Sequence, residues 1–161
     1  MKKLVFIRHA KSSWEFDVID HQRPLKKRGI QDATLIGKYL KNLELTVDKV
    51  LCSDAKRTQM TAAIILEAMN LHQVDFALDT NLYDFTGEQV METIVSTKSE
   101  INTLMLFGHN YALTRLANML GNKVIDNIPT AGVVVIDFEN TQWNTINVGK
   151  TLLTIFPKDL R

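Results

Sequence analysis

Two histidines in this chain each follow a run of apolar residues. Leu4-Val5-Phe6-Ile7 leads through Arg8 to His9, and Leu104-Met105-Leu106-Phe107 leads through Gly108 to His109. Each stands where a buried strand would hand the chain to a loop. In open α/β sheets ligands collect there, beyond the carboxyl ends of the strands. Arg8 places a cation directly before His9. Lys11, Ser12 and Ser13 behind it offer donors and loop N–H groups suited to an anion. His109 and Asn110 open a helical pattern, and helix N-termini also favour anions. Arg57 falls in the first turn of another helical pattern, where the helix dipole disfavours a cation. An anion held near that helix start would account for it. Together these residues could hold an anion at one crevice. Singly, each fits a plainer role: His9 as a structural or exposed residue, His109-Asn110 as a cap, Arg57 as a solvated surface arginine.

The elements that must position these residues are legible in the periodicity. Ile30, Ala33, Ile36, Leu40 and Leu43 recur at helical spacing. Val50-Leu51 is a short strand. Ser53 is placed to cap the helix after it, whose apolar face carries Met60, Ala63, Ile64, Ala68 and Leu71. Thr86 and Gln89 read as a capping-box pair, with Val90 and Ile94 facing inward. Leu113, Leu116, Ala117 and Leu120 predict a short helix that Gly121 ends. After Pro129, residues 132–138 and 143–148 predict a β-hairpin around Glu139-Asn140-Thr141, and residues 152–156 a last strand. Strands alternating with helices predict an α/β fold with a mostly parallel sheet and an antiparallel C-terminal edge. The two histidines should then meet at one crevice.

The length of 161 residues suits one domain over the whole chain. Hydrophobic residues make up 45% and charged residues 23%, an ordinary globular composition. The net charge of +1 offers no global attraction for nucleic acid or an acidic membrane, so neither is expected as a partner. No stretch approaches the roughly 18 to 20 apolar residues that span a bilayer. Met1-Lys2-Lys3 is followed by only four apolar residues before Arg8, too few for a signal peptide. With a single cysteine, Cys52, the expected location is cytoplasmic. Asp17 and Asp20 could be read as a metal pair, but no third carboxylate accompanies them. No metal or other cofactor is expected. Cys52 is expected as a buried strand residue, and His21 and His72 as surface residues.

Four stretches carry a resemblance. They are Arg8-His9-Ala10-Lys11-Ser12-Ser13-Trp14, then Asp20-His21-Gln22-Arg23-Pro24-Leu25 with Arg28-Gly29, then Ser53-Asp54-Ala55-Lys56-Arg57-Thr58 with Thr61-Ala62, and Gly108-His109-Asn110. In this order they resemble the histidine phosphatase superfamily, and within it the small SixA-type phosphohistidine phosphatases. The likeness runs from the first strand to the fourth helix, and the region around Pro129 and the final strands is similar too. It implies a three-layer α/β/α, phosphoglycerate mutase-like fold. It implies a phosphate pocket of Arg8, His9, Arg57 and His109, with His9 as a nucleophile that passes through phosphohistidine and no metal. Arg23 is implied near the pocket mouth, with Ser12 and Asn110 beside the substrate. Some relatives acting on alcohol phosphates carry a glutamate two positions after a leucine. Leu82-Tyr83-Asp84 has that spacing, which makes Asp84 the candidate acid with Glu88 behind it; the plainer reading of Asp84 is a solvated loop carboxylate.

The chain departs from the pattern at Ala10, where glycine is frequent, and at Asp54 and Tyr111, where proline is common. Tyr111 could narrow or extend the mouth. The implied substrate is a phosphorylated protein carrying phosphohistidine. Alternatives are a small sugar or nucleotide-derived phosphate, or a non-catalytic role in binding phosphate.

Overall fold

The first apolar run forms β1 (Lys2–Arg8), and its side chains enter two different cores. Leu4 and Phe6 face one, Val5 and Ile7 the other. A strand that is apolar at every position needs cover on both faces. The computed structural model, which describes residues 1–161, supplies that cover with helices. The chain continues through α1 (Lys27–Asn42), β2 (Lys49–Cys52), α2 (Lys56–Ala68), β3 (Asp75–Leu78), α3 (Glu88–Val95), β4 (Thr103–Gly108), α4 (Ala112–Leu120), β5 (Val133–Phe138) and β6 (Lys150–Ile155).

Six strands form one sheet in the order β3-β2-β4-β1-β5-β6. The first four strands in the chain pair in parallel, while β5 runs antiparallel to both of its neighbours. Helices α1 and α2 cover the face that carries Val5, Ile7, Met105 and Phe107; α3 and α4 cover Leu4, Phe6, Leu104 and Leu106. This is a three-layer α/β/α arrangement. In the parallel pair β1–β4, Ile7 lies opposite Phe107 and Arg8 opposite Gly108. That register makes His9 and His109 leave adjacent strands side by side.

Several elements differ from the sequence reading. β3 was not expected. It is a four-residue edge strand whose Phe76 and Leu78 are exposed, so it lacks the apolar continuity of β1 and β4. Residues 143–148 do not form a strand. Trp143 begins a 3-10 turn and is buried in the core, where its Nε1–H donates to the Ile101 carbonyl (2.6 Å). The partner of β5 is instead β6. The inward face of α2 is Arg57, Thr58, Thr61, Ala62 and Ile65, while Ala63 is exposed. Met60, Ile64 and Leu71 pack partly buried against the core as expected, but hydrophobicity alone missed the buried polar positions Arg57, Thr58 and Thr61. On α1, Ala33, Ile36 and Leu40 are buried as expected, but Ile30 and Leu43 are exposed.

Candidate active site

His9 is held by backbone from two directions. Its N–H donates to the Gly108 carbonyl (3.0 Å), and its own carbonyl accepts from Ala131 N–H (3.0 Å). Thr61 then ties the next residue to α2: its hydroxyl accepts from Ala10 N–H (2.9 Å) and donates to the Arg57 carbonyl (2.7 Å). Residues 11–13 are pinned beside 24–26 by the bonds Ser13 N–H to Pro24 carbonyl and Lys26 N–H to Lys11 carbonyl. Gly29 makes this approach possible, since a Cβ there would lie 2.2 Å from the Lys11 carbonyl oxygen. The loop after β1 is therefore rigidly placed, which a reacting group requires.

The four residues implied as the pocket do converge. The His9 and His109 rings lie 5.3 Å apart between centroids. Arg57, only 2% exposed, reaches His109 Nδ1 with Nη2 (3.4 Å). Arg8 donates from Nη1 to the Ile128 carbonyl (2.8 Å). The Nε atoms of Arg8 and Arg57 are both buried and have no hydrogen-bond partner. Buried donors are nearly always paired, so these two guanidinium N–H groups lack an acceptor that an anion could supply.

Hydrogen bonding settles the tautomers. His9 Nδ1 lies 2.7 Å from the Ala10 carbonyl, which can only accept, so Nδ1 carries the proton and Nε2 keeps its lone pair. On His109, Nδ1 faces a guanidinium that can only donate. Its Nε2–H therefore donates to Ser53 Oγ (2.8 Å), which also accepts from Ala55 N–H. Burial pushes the His9 pKa down to about 3, and the charges of Arg57, Arg8 and Arg23 push the same way. Burial, with His9 and Arg57 behind it, lowers His109 to about 2. Both rings are neutral at pH 7. The neighbouring arginine charges contribute, but loss of water is the larger cause.

Ser53, expected to cap α2, instead orients His109; the cap position belongs to Ala55 and has no side-chain cap. Arg23 is buried near the site. It donates to Ser12 Oγ from Nη1 (2.7 Å) and to Asp20 from Nε (3.1 Å), and its guanidinium lies 3.5 Å over the Trp14 ring. The side-chain amide of Asn110 is used within the protein. Its Oδ1 accepts from Thr114, and its Nδ2 donates to Asn127 and Ile128, so it fastens the start of α4 to the 127–128 loop. Tyr111 is exposed, with its hydroxyl toward the Asp126 carbonyl (3.3 Å). His21, expected on the surface, is half-buried and bonded to Asp54 (3.0 Å).

Asp84 is a helix cap, not a free acid. Its carboxylate accepts from the backbone N–H groups of Thr86, Gly87, Gln89 and Val90 and from the Thr86 hydroxyl. The Thr86–Gln89 capping box is absent: α3 begins after Gly87, whose φ of 103° suits glycine, and Asp84 takes the donors. Burial alone would raise the Asp84 pKa, but the N–H bonds from Val90, Thr86 and Gly87 outweigh it and hold the group ionised. Neighbouring Tyr83 and Phe85 turn the other way, each with its ring 5.2 Å from the His109 ring. Asp84→Asn should therefore lower stability by about 1–2 kcal/mol at pH 7, because the amide N–H₂ meets donors. A carboxylate with a depressed pKa stabilises above its unfolded value of about 3.9 and loses that contribution as pH falls through the lower folded value. The gap between wild type and variant should narrow below about pH 4, as denaturant melts at several pH values would show. Turnover of an alkyl phosphate should fall no more than that of an activated one; a selective loss on the alkyl phosphate would return Asp84 to the acid role.

Asp20 and Tyr83 were given no role at this site by the sequence reading. Asp20 Oδ2 accepts from Arg57 Nη2 (2.9 Å) and from the Tyr83 hydroxyl (2.5 Å). The sequence had offered Asp20 only as half of a metal pair with Asp17 and as the start of the matching stretch that holds Arg23. No three His, Cys, Asp or Glu side chains are grouped so as to hold a metal ion.

Known proteins share this fold and parts of this sequence. An uncharacterized protein of Mycobacterium tuberculosis is 30% identical over 161 residues, covering 93% of this chain and 98% of that one. The fold matches that of the protein histidine phosphatase SixA complexed with tungstate, with a TM-score of 0.82 at 17% identity and 99% coverage of both chains. It also matches a chain from Agrobacterium tumefaciens described as a phosphohistidine phosphatase, SixA, with a TM-score of 0.81 at 23% identity, covering 96% of this chain and 97% of that one. The layers and sheet are thus phosphoglycerate mutase-like, and no helix is long and apolar enough to cross a membrane. Residues 4–86, which hold Arg8, His9, Arg23 and Arg57, match the sequence profile of the histidine phosphatase superfamily, and the chain belongs to its branch 1.

Proposed function

We propose that this chain is a phosphatase that hydrolyses phosphohistidine on a protein, with His9 as nucleophile. The observation that carries the reading is the pair of buried, unpartnered Nε donors on Arg8 and Arg57 beside a neutral His9 whose Nε2 lone pair is free. Arginine forks fit phosphoryl oxygens, and phosphoryl transfer depends chiefly on positioning and charge stabilisation.

In the first step His9 Nε2 attacks phosphorus, and the phosphorus–nitrogen bond of the substrate breaks. The leaving imidazole departs neutral from the form of the substrate whose other ring nitrogen has taken a proton from solvent, a form available near neutral pH because an imidazole titrates there. In the second step water attacks the phosphoryl group on His9, releasing inorganic phosphate and restoring the imidazole. A bound dianion beside His109 Nδ1 favours a proton there, making His109 a donor to the phosphoryl oxygens.

The state of the carboxyl groups supports phosphohistidine over an alkyl phosphate. Asp84 is ionised in its cap. The Asp20 carboxyl is raised by partial burial, but hydrogen bonds from Tyr83 and Arg57 hold it well below the usual range. An alkoxide needs a proton from an acid of the site during transfer, whereas an imidazole can take its proton from solvent at the remote ring nitrogen beforehand. The exposed side chains of Trp14, Ile19, Phe85 and Tyr111 around the site suit contact with a protein surface. A lone buried free cysteine suits a reducing compartment such as the cytoplasm.

The test is an assay of a phosphorylated histidine-containing phosphocarrier beside aryl, sugar and nucleotide-derived phosphates, with chelator present and vanadate as inhibitor. The expected order of kcat/KM places phosphohistidine above the alkyl phosphates, unaffected by chelator and inhibited by vanadate. A preference for one small phosphate would move the assignment to a small-molecule phosphatase, and no turnover of any substrate would leave only phosphate binding.

A further inference from the structure

Asp20 stands between solvent and two arginines of the site. Its carboxylate accepts from Arg57 Nη2 (2.9 Å), Arg23 Nε (3.1 Å) and the Tyr83 hydroxyl (2.5 Å), and its backbone carbonyl takes Arg57 Nη1 (2.7 Å). The side chains of Arg57 and Arg23 are 3% and 8% exposed, whereas that of Asp20 is 43% exposed. An oxyanion arriving from solvent meets a carboxylate lying across the fork it must reach. Arg57 Nη2 is also the nitrogen nearest His109 Nδ1, so Asp20 is one guanidinium away from the pair of imidazoles.

We propose that Asp20 is an internal competing anion that sets the phosphate affinity of this site. An incoming phosphoryl group takes the Arg57 and Arg23 donors from the Asp20 carboxylate, and Asp20 recovers them as inorganic phosphate leaves. The inference rests on the reading of Arg57 as a phosphate ligand. Its physical basis is that one N–H cannot serve two anions fully, and that two anions side by side repel. Substrate and product are both held less tightly as a result, and product release is eased. A residue that merely braced Arg57 would act with the opposite sign, since its loss would weaken phosphate binding.

The sign is what the experiment reads. Inorganic phosphate is titrated calorimetrically into the full chain as wild type, Asp20→Asn and Asp20→Glu, with circular dichroism melts on each. Asp20→Asn is expected to bind phosphate about 10-fold more tightly, the size of one charge-assisted hydrogen bond, and to show correspondingly stronger product inhibition. Asp20→Glu, which keeps the charge, should bind closer to wild type. A second neutral variant, Asp20→Ser, is read in the same titration, so that a folding defect in one protein does not decide the outcome. If wild type binds phosphate and both neutral variants bind it no more tightly, Asp20 is a brace for Arg57 and the inference is overturned. If neither wild type nor the neutral variants bind phosphate, the phosphatase reading itself falls, and this inference with it.

Discussion

Replacing His9 by alanine is expected to lower turnover about 10⁴-fold or more while leaving phosphate affinity within about threefold. The nucleophile is lost, but the donors of Arg8 and Arg57 stay where their helices and strands put them. His9 contributes one backbone-directed bond, Nδ1–H to the Ala10 carbonyl, so its removal leaves no buried charge unpaired. The anchoring of this loop by Thr61 and by the neighbouring segment does not use the imidazole. Quenching wild type rapidly without acid during turnover of labelled substrate should trap phosphate on His9. Because the ring stays neutral to about 3, the nucleophile should remain competent at pH 5, and any acid limb above that belongs to another group. Wild-type activity in the alanine variant, or label on His109 instead, would defeat the assignment.

Arg57→Lys should lower kcat/KM by roughly 10²- to 10³-fold, the range seen when one preorganised donor to developing charge is lost. Lysine keeps the positive charge but offers a point charge in place of a planar fork. Three features of Arg57 depend on that plane. Nη1 meets the Asp20 carbonyl, Nη2 lies between Asp20 and His109, and Nε waits without a partner. Thermal melts and steady-state kinetics on the same preparation separate the chemical loss from any loss of fold. An activity within about threefold of wild type would mean that only the charge matters and that the orphaned Nε is not a phosphate donor.

Much of this arrangement was legible before any coordinates. Leu4 to Ile7 and Leu104 to Phe107 are apolar at every position, and only strands covered on both faces bury such runs well. Parallel strands of one α/β sheet present their carboxyl ends together, which made a meeting of His9 and His109 a sequence-level expectation. Arg57, at a helix start where its charge is disfavoured, pointed to an anion for a physical reason, and its orphaned Nε agrees. The edge strand β3 was invisible because it is short and carries exposed apolar residues. Trp143 was misread because a large apolar residue fills a core equally well from a turn. The polar part of the inward face of α2 was missed because Thr58 and Thr61 are buried through hydrogen bonds to backbone, which hydrophobicity does not register.

The sequence by itself determined the alternation of strands and helices, the placing of two histidines at strand ends, and the supply of arginines around them. These follow from local periodicity and from the chemistry of single residues. Only the tertiary structure decided which polar groups face one another. Asp84 and Tyr83 are adjacent in the chain, yet one caps α3 while the other meets Asp20 beside His109. Ser53 orients a histidine 56 positions away, and Asp20 covers an arginine 37 positions away. Local sequence sets how far a side chain can reach, but its partner depends on which distant segment the sheet order and helix packing bring alongside.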